Sequence, residues 1–176
     1  MGGPKALVRD PDDVPWAVRS SRLLAEAGCS PVLVVIGAAA DEVRAVLTAE
    51  PVQVVEATDW EEGMSASLRA GLKALPQDVD GVVVVPVDVP GLTAAAVRRV
   101  AGDGSGLARA VYDGRPGHPV LLGRDHWEGV IATARGDAGA RDYLKQHRAA
   151  KIDCADVAEG ADVDSVEQLP DGHRAG

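Results

Sequence analysis

The chain has 176 residues, 46% of them apolar, with no Phe and a formal net charge of −9. That length suits one domain, with a core built from Val, Leu, Ile and Ala. The acidic balance argues against a non-specific nucleic-acid or anionic-membrane surface, since each needs a basic face. It leaves room for a nucleotide, which one lysine, backbone N–H groups and a metal ion can meet. Cys29 and Cys154 form no C-x-x-C, so they read as two buried thiols in a reducing cytoplasm rather than as a zinc or redox pair. No apolar run reaches the ~20 residues of a membrane span, and no charged stretch followed by an apolar one marks a secretory signal.

The predicted elements alternate. D-D-V-P-W-A-V-R-S-S-R-L-L-A-E-A-G reads as a helix, with Asp12 or Asp13 as cap, Pro15 in the first turn and Gly28 just past the end. Pro31 to Gly37 is apolar at nearly every position, as a strand covered on both faces would be. D-E-V-R-A-V-L predicts a short helix. Val52 to Ala57 is the next strand, and Met64 to Leu75 a helix with Leu68, Leu72 and Leu75 in register. Gly81 to Asp88, with four consecutive valines, is the most apolar strand of all. Thr93 can cap a further helix. Strands joined through helices run parallel beneath helical layers, so residues 1–100 predict an α/β sheet.

After Gly102 the pattern changes. L-A-R-A-V-Y-D and H-P-V-L-L-G predict two strands joined by the turn Asp113 to Gly117. Helical stretches around 126–133 and 138–147 follow, then a short strand in A-K-I-D-C-A-D-V. Ser165 can cap a last turn, and residues 171–176 are expected to fray as a disordered tail beyond one domain spanning 1–170. Gly102 to Gly106 precedes a strand rather than following one, so it is a loop and not a dinucleotide fingerprint.

Four places carry chemistry. Gly2, Gly3 and Lys5 form a glycine-rich stretch with a lysine, a phosphate cradle where it joins a strand to a helix. Asp88 closes the valine strand before Pro90. Ligands bind at the carboxyl ends of strands in open parallel sheets, and a carboxylate there is placed to hold Mg²⁺ on a phosphate chain. It serves equally as a loop or helix cap. Ser65 and Ser67 sit at a helix start, where N–H groups attract anions or where a serine simply caps. Arg69 lies one turn on, and can add charge to that anion or stand in solvent. His118 at a hairpin edge reads either as a hydrogen-bonded structural residue or as a site residue. Asp137 and Arg141, in G-D-A-G-A-R, mark a turn-to-helix junction able to face an anion.

Together the segments M-G-G-P-K-A-L, G-M-S-A-S-L-R-A-G-L, V-V-P-V-D-V-P-G-L, G-R-P-G-H-P-V-L, G-D-A-G-A-R and D-V-D-S-V-E-Q-L resemble the molybdenum cofactor cytidylyltransferases, within the MobA-like nucleotidyltransferases. The resemblance runs from Met1 to about Leu169. It implies a three-layer α/β/α, mostly parallel sheet of the nucleotide-diphospho-sugar transferase type. It implies transfer of CMP from CTP to the terminal phosphate of molybdopterin, with release of pyrophosphate. In that family Lys5, with Gly2 and Gly3, would meet the triphosphate, and Asp88 would hold Mg²⁺, with Asp164 as a second acidic contact. Ser65, Ser67, Arg69, His118, Asp137 and Arg141 would line the acceptor side.

The family pattern begins with a strand and a loop of the kind L-A-A-G-x-S-x-R before M-G-x-P-K, and this sequence starts at that Met. The resemblance therefore leads to the expectation that the natural product starts upstream. It also predicts that the strands at 31–37 and 81–88 either present open edges to each other or close together. GTP in place of CTP stays open as donor, and a sugar phosphate as acceptor. Two other functions stay open too: a non-catalytic cofactor-binding partner of a molybdenum hydroxylase or its maturation chaperone, and an NAD(P)H-dependent oxidoreductase of the nicotine-blue type.

Overall fold

The computed structural model describes residues 3–176. Six helices, α1 (Trp16–Glu26), α2 (Ala40–Leu47), α3 (Met64–Ala74), α4 (Ala94–Ala101), α5 (Trp127–Thr133) and α6 (Arg141–Gln146), surround six strands. The strands are β1 (Leu33–Ile36), β2 (Gln53–Glu56), β3 (Gly81–Val84), β4 (Leu107–Tyr112), β5 (Arg115–Gly123) and β6 (Ala150–Asp153). The α/β class predicted from the sequence is the one observed. No helix among the described residues is long and apolar enough to cross a membrane.

The sheet comes in two pieces. β1 and β2 pair in parallel, as the crossover through α2 requires. β3, β5, β4 and β6 lie in that order; the β3–β5 and β5–β4 pairs are antiparallel and β4–β6 is parallel. β4 and β5 form the expected hairpin. Its tip is Asp113-Gly114, both at positive φ (50° and 78°), the geometry of a two-residue turn that follows the strand twist. β1 and β3 do not pair with each other: among the described residues each has one partner strand and one unpaired edge. Their apolar side chains, Leu33 to Val35 and Val82 to Val84, are only half-buried.

Helices cover both faces. Leu72 of α3, Val130 of α5 and Leu144 of α6 pack on Val120 and Leu122 of β5. Ala96 and Val100 of α4 pack on the opposite face, against Ala108, Ala110 and Leu121. Ala17 and Val18 of α1 and Val43 and Leu47 of α2 enclose Ile36 of β1. α3 also serves β1: a Cβ at Gly71 would stand 3.0 Å from Val35 Cγ2, so the glycine lets helix and strand approach closely.

Local chemistry sets the boundaries. α1 begins later than the Asp12/Asp13 cap predicts. Asp10 takes the N–H groups of Asp12 and Val14 on its own side chain, and Pro15, extended, stands at the cap. Thr93 caps α4 as expected, accepting from Ala96 N–H. β3 stops at Val84, four residues short of Asp88. Pro86 has no N–H to give a ladder, and the position of β5 that would face Val85 is Pro119, which has none either. Asp88 therefore sits in the turn beyond the strand rather than at its end. Residues 171–176 are tied back, with reciprocal backbone bonds between Arg9 and Arg174 (2.9 and 3.0 Å) and His173 edge-on to Trp16.

Candidate functional site

Three segments distant in sequence meet at Lys5. It opens a 3₁₀ turn, Lys5–Leu7, and its Nζ donates to Asp88 Oδ2 (2.9 Å) and Asp164 Oδ1 (2.7 Å). The backbone makes the meeting possible. Val163 N–H bonds to the Asp88 carbonyl (2.9 Å) and Glu159 N–H to that of Gly91, so residues 159–164 are laced to the turn carrying Asp88. Gln168 then accepts from the N–H groups of Asp164 and Ser165 in a capping box that fixes the Asp164 backbone. Partial burial pulls the Lys5 ammonium down, but its hydrogen bonds to Asp164 and Asp88 outweigh this and hold it above its ordinary value. Two carboxylates converge on one cation and concentrate charge there. Among the described residues no cluster of three or more His, Cys, Asp or Glu side chains offers a complete metal cage. A pair of carboxylates nonetheless suits a hard divalent ion that keeps waters and takes its other ligands from phosphate oxygens. Gly3 is exposed just before this turn, and Gly2 lies outside the described residues.

A second group forms where the 136–141 loop meets the start of α3. Gly63 precedes the helix at φ 100°, ψ −175°, a conformation open essentially to glycine. A Cβ there would stand 2.6 Å from Asp137 Oδ1, which accepts the Met64 N–H at 3.2 Å. Asp137 is thus the N-terminal cap of α3, reaching it from 73 residues away. Ser65, fully buried, accepts from Gly139 N–H (3.1 Å) and clasps the same loop. Ser65 and Ser67 lie two residues apart on a helix and so face different directions; Ser67 is half-buried.

Arg69 is committed elsewhere. Its guanidinium bonds to Asp59 (2.9 Å), Glu62 (2.7 Å) and the Ala134 carbonyl (3.2 Å), and the bond to Asp59 leads in raising it. It is a strut between α3 and the segments on either side. Arg141 is exposed at the start of α6. His118 is half-buried in β5; burial first, then the charge of Arg109, push its imidazole down, while Asp88 and Asp162 pull the other way. Arg109 and Asp162 were not singled out from the sequence. The signal for Arg109 was there, a lone charge inside the apolar strand L-A-R-A-V-Y.

The model of the MobA-like NTP transferase domain matches residues 1–151. The chain belongs to this family. Among curated relatives, the nicotine blue oxidoreductase of Paenarthrobacter nicotinovorans is 34% identical over 183 residues, covering 95% of this chain and 86% of the relative. Among solved structures, the homologue of Mycobacterium tuberculosis Rv0371c from Mycobacterium sp. strain JC1 superposes with a TM-score of 0.81 at 27% identity, over 96% of this chain and 85% of that one. Rv0371c of M. tuberculosis H37Rv in complex with manganese superposes with a TM-score of 0.75 at 26% identity, over 96% and 90%. Lys5 and Asp88 lie within the matched MobA-like domain, and Asp164 lies beyond its end at residue 151.

Proposed function

We propose that this MobA-like domain is a nucleotidyltransferase that joins CMP from CTP to the terminal phosphate of molybdopterin. A phosphate oxygen of the acceptor attacks the α-phosphorus of the triphosphate, the bond to the β-phosphate oxygen breaks, and pyrophosphate leaves. The observation that carries this reading is the convergence of Lys5, Asp88 and Asp164 on one point. The structural relative bound to manganese supports a divalent ion in such a fold. Asp88 and Asp164 would hold Mg²⁺, whose charge neutralises the phosphate oxygens when bound.

The chain's own part is alignment and charge. Released from the carboxylates, the Lys5 ammonium would meet the β- or γ-phosphate as a point charge. Asp137 and Ser65 fix the 136–141 loop on α3, and in this reading Arg141 at the end of that loop and His118 in β5 would meet the acceptor. Phosphoryl chemistry needs little more from a protein than this positioning. The test is pyrophosphate release from CTP and from GTP, with and without molybdopterin. Release that depends on molybdopterin supports the reading; none with either nucleotide overturns it.

A second reading follows from the name of the curated relative, an oxidoreductase acting on nicotine blue. In this chain Gly102, Gly104 and Gly106 form the loop from α4 into β4, with Gly104 against Gly81 at the start of β3. That is the end of the strand away from Asp88 and the reverse of a strand-to-helix dinucleotide turn. NADPH oxidation by the purified chain in the presence of a quinonoid dye would favour this reading over transfer.

A further inference from the structure

Tyr112 closes β4, and its side chain bridges the β4–β5 hairpin to the segment 157–164. Its hydroxyl donates to the carbonyl of His118 in β5 at 2.7 Å. Like Val157 and Ala158, it packs against the core under α4. Its ring also packs against Gly160. A Cβ at Gly160 would stand 2.1 Å from Tyr112 Cδ2 and 2.2 Å from Cε2, and one at Gly117 3.0 Å from both. Non-bonded carbons rest about 3.5–4 Å apart, so only glycine at 160 leaves room for this ring. The backbone at Gly160 is not left-handed, so glycine is there for room rather than for conformation.

The segment that meets the ring carries Asp164. Residues 157–164 belong to no helix or strand, so their place is set by individual contacts. Thr93 Oγ1 donates to the Val157 carbonyl (2.9 Å), Glu159 N–H to that of Gly91 (3.1 Å) and Val163 N–H to that of Asp88 (2.9 Å). Gly160 lies between the last two ties, and there the segment rests on the Tyr112 ring. Four residues on, the Asp164 carboxylate takes its hydrogen bond from Lys5 Nζ at 2.7 Å. A flat ring pinned by its hydroxyl is a fixed stop for a segment without a ladder of its own.

We infer that Tyr112 is a positioning residue. Its ring, packed against Gly160 and pinned to the His118 carbonyl, sets the place of Asp164 against Lys5. That this placement serves nucleotidyl transfer rests on the proposal above; the placement itself does not.

The experiment uses the full chain and a low dose of acetic anhydride, with acylation of Lys5, Lys73, Lys145 and Lys151 read separately by peptide mass mapping. Acylation takes the neutral amine, and the two carboxylates hold Lys5 in its charged form. In Tyr112→Leu, Lys5 should react about two- to fivefold faster relative to the other three lysines, the scale of losing one partly exposed ion pair. Tyr112→Phe, which keeps the ring but not the pin, should fall in between. Gly160→Ala should reproduce the rise by pushing the segment off the ring. In the Tyr112→Leu background the same change should add little, because the ring it meets is gone. Should Tyr112→Leu fail to fold, Tyr112→Phe and Gly160→Ala give the answer. Unchanged relative reactivity of Lys5 in the folded variants overturns the inference. An equal rise at all the mapped lysines marks a general loosening and overturns it too, as does a Gly160→Ala effect that is the same with and without Tyr112. Pyrophosphate release separates the two claims. In Tyr112→Leu kcat should fall about tenfold with the acceptor KM little changed, as misplacement within an aligned site does. No release even by the wild type sinks the transfer reading and leaves the placement. Wild-type kcat in Tyr112→Leu overturns Tyr112 as a positioning residue for the reaction and leaves the reading.

Discussion

Asp137 accepts a hydrogen bond from the backbone N–H of Met64, so a carboxylate on one loop caps a helix that begins 73 residues earlier. The contact welds the 136–141 loop to α3, the helix that underlies both pieces of the sheet. It depends on Gly63, whose φ of 100° and missing Cβ let the carboxylate in. Gly63→Ala should therefore strain the backbone by roughly 1–3 kcal/mol and push Asp137 off the helix end. Urea unfolding would show the loss. An unchanged midpoint would mean that the junction is looser than its geometry.

Ser65→Ala removes the acceptor of the Gly139 N–H in a fully buried setting. A cost of about 1 kcal/mol is expected. Amide exchange should speed up at Gly139 and its loop neighbours more than in β4 or β5. Uniform acceleration across the molecule would instead mean that Ser65 matters only through packing.

The family resemblance puts Arg69 on the acceptor side, and in the structure its guanidinium donates to Asp59, Glu62 and the Ala134 carbonyl. Arg69→Gln should lower the unfolding midpoint modestly and leave the acceptor KM where it was. A raised KM with an unchanged midpoint would return Arg69 to the site.

Lys5 gains its two carboxylate partners only on folding, and its ammonium is held above the ordinary value of 10.5. A base whose pKa is higher folded than unfolded stabilises the fold fully below the unfolded value, and loses that contribution as pH climbs through the folded one. The stability difference between wild type and Lys5→Met should thus be steady at neutral pH and shrink above about pH 10.5. A difference that grows with alkalinity would contradict the ion-pair assignment.

Much of the fold is legible in the residues because local rules agree there. Thr93 caps α4, Asp113-Gly114 turns the hairpin, and Leu72 faces the core of α3, as short-range chemistry dictates. The end of the valine strand was misread because the ladder's limit depends on a proline in another strand, Pro119 across from Val85, as well as on Pro86 itself. The antiparallel β3–β5 pair was hidden for the same reason: pairing is a long-range fact. At the site, Lys5, Asp88 and Asp164 were each visible as residue types, but their meeting depends on the Val163–Asp88 backbone bond, which no spacing encodes. The partners of Arg69 were not legible either, because helical position shows which side it lies on, not which carboxylates reach it.

The central claim is that the Lys5–Asp88–Asp164 cluster serves nucleotidyl transfer. Asp88 is partly exposed in a turn outside the strands, so Asp88→Asn should keep the fold. The decisive measurement is the rate of molybdopterin-dependent pyrophosphate release from CTP by wild type and by Asp88→Asn, each checked for native circular dichroism. A fall of about 10²-fold or more in the variant is expected, the scale of deleting one preorganised electrostatic contact. Equal rates in the two proteins would contradict it.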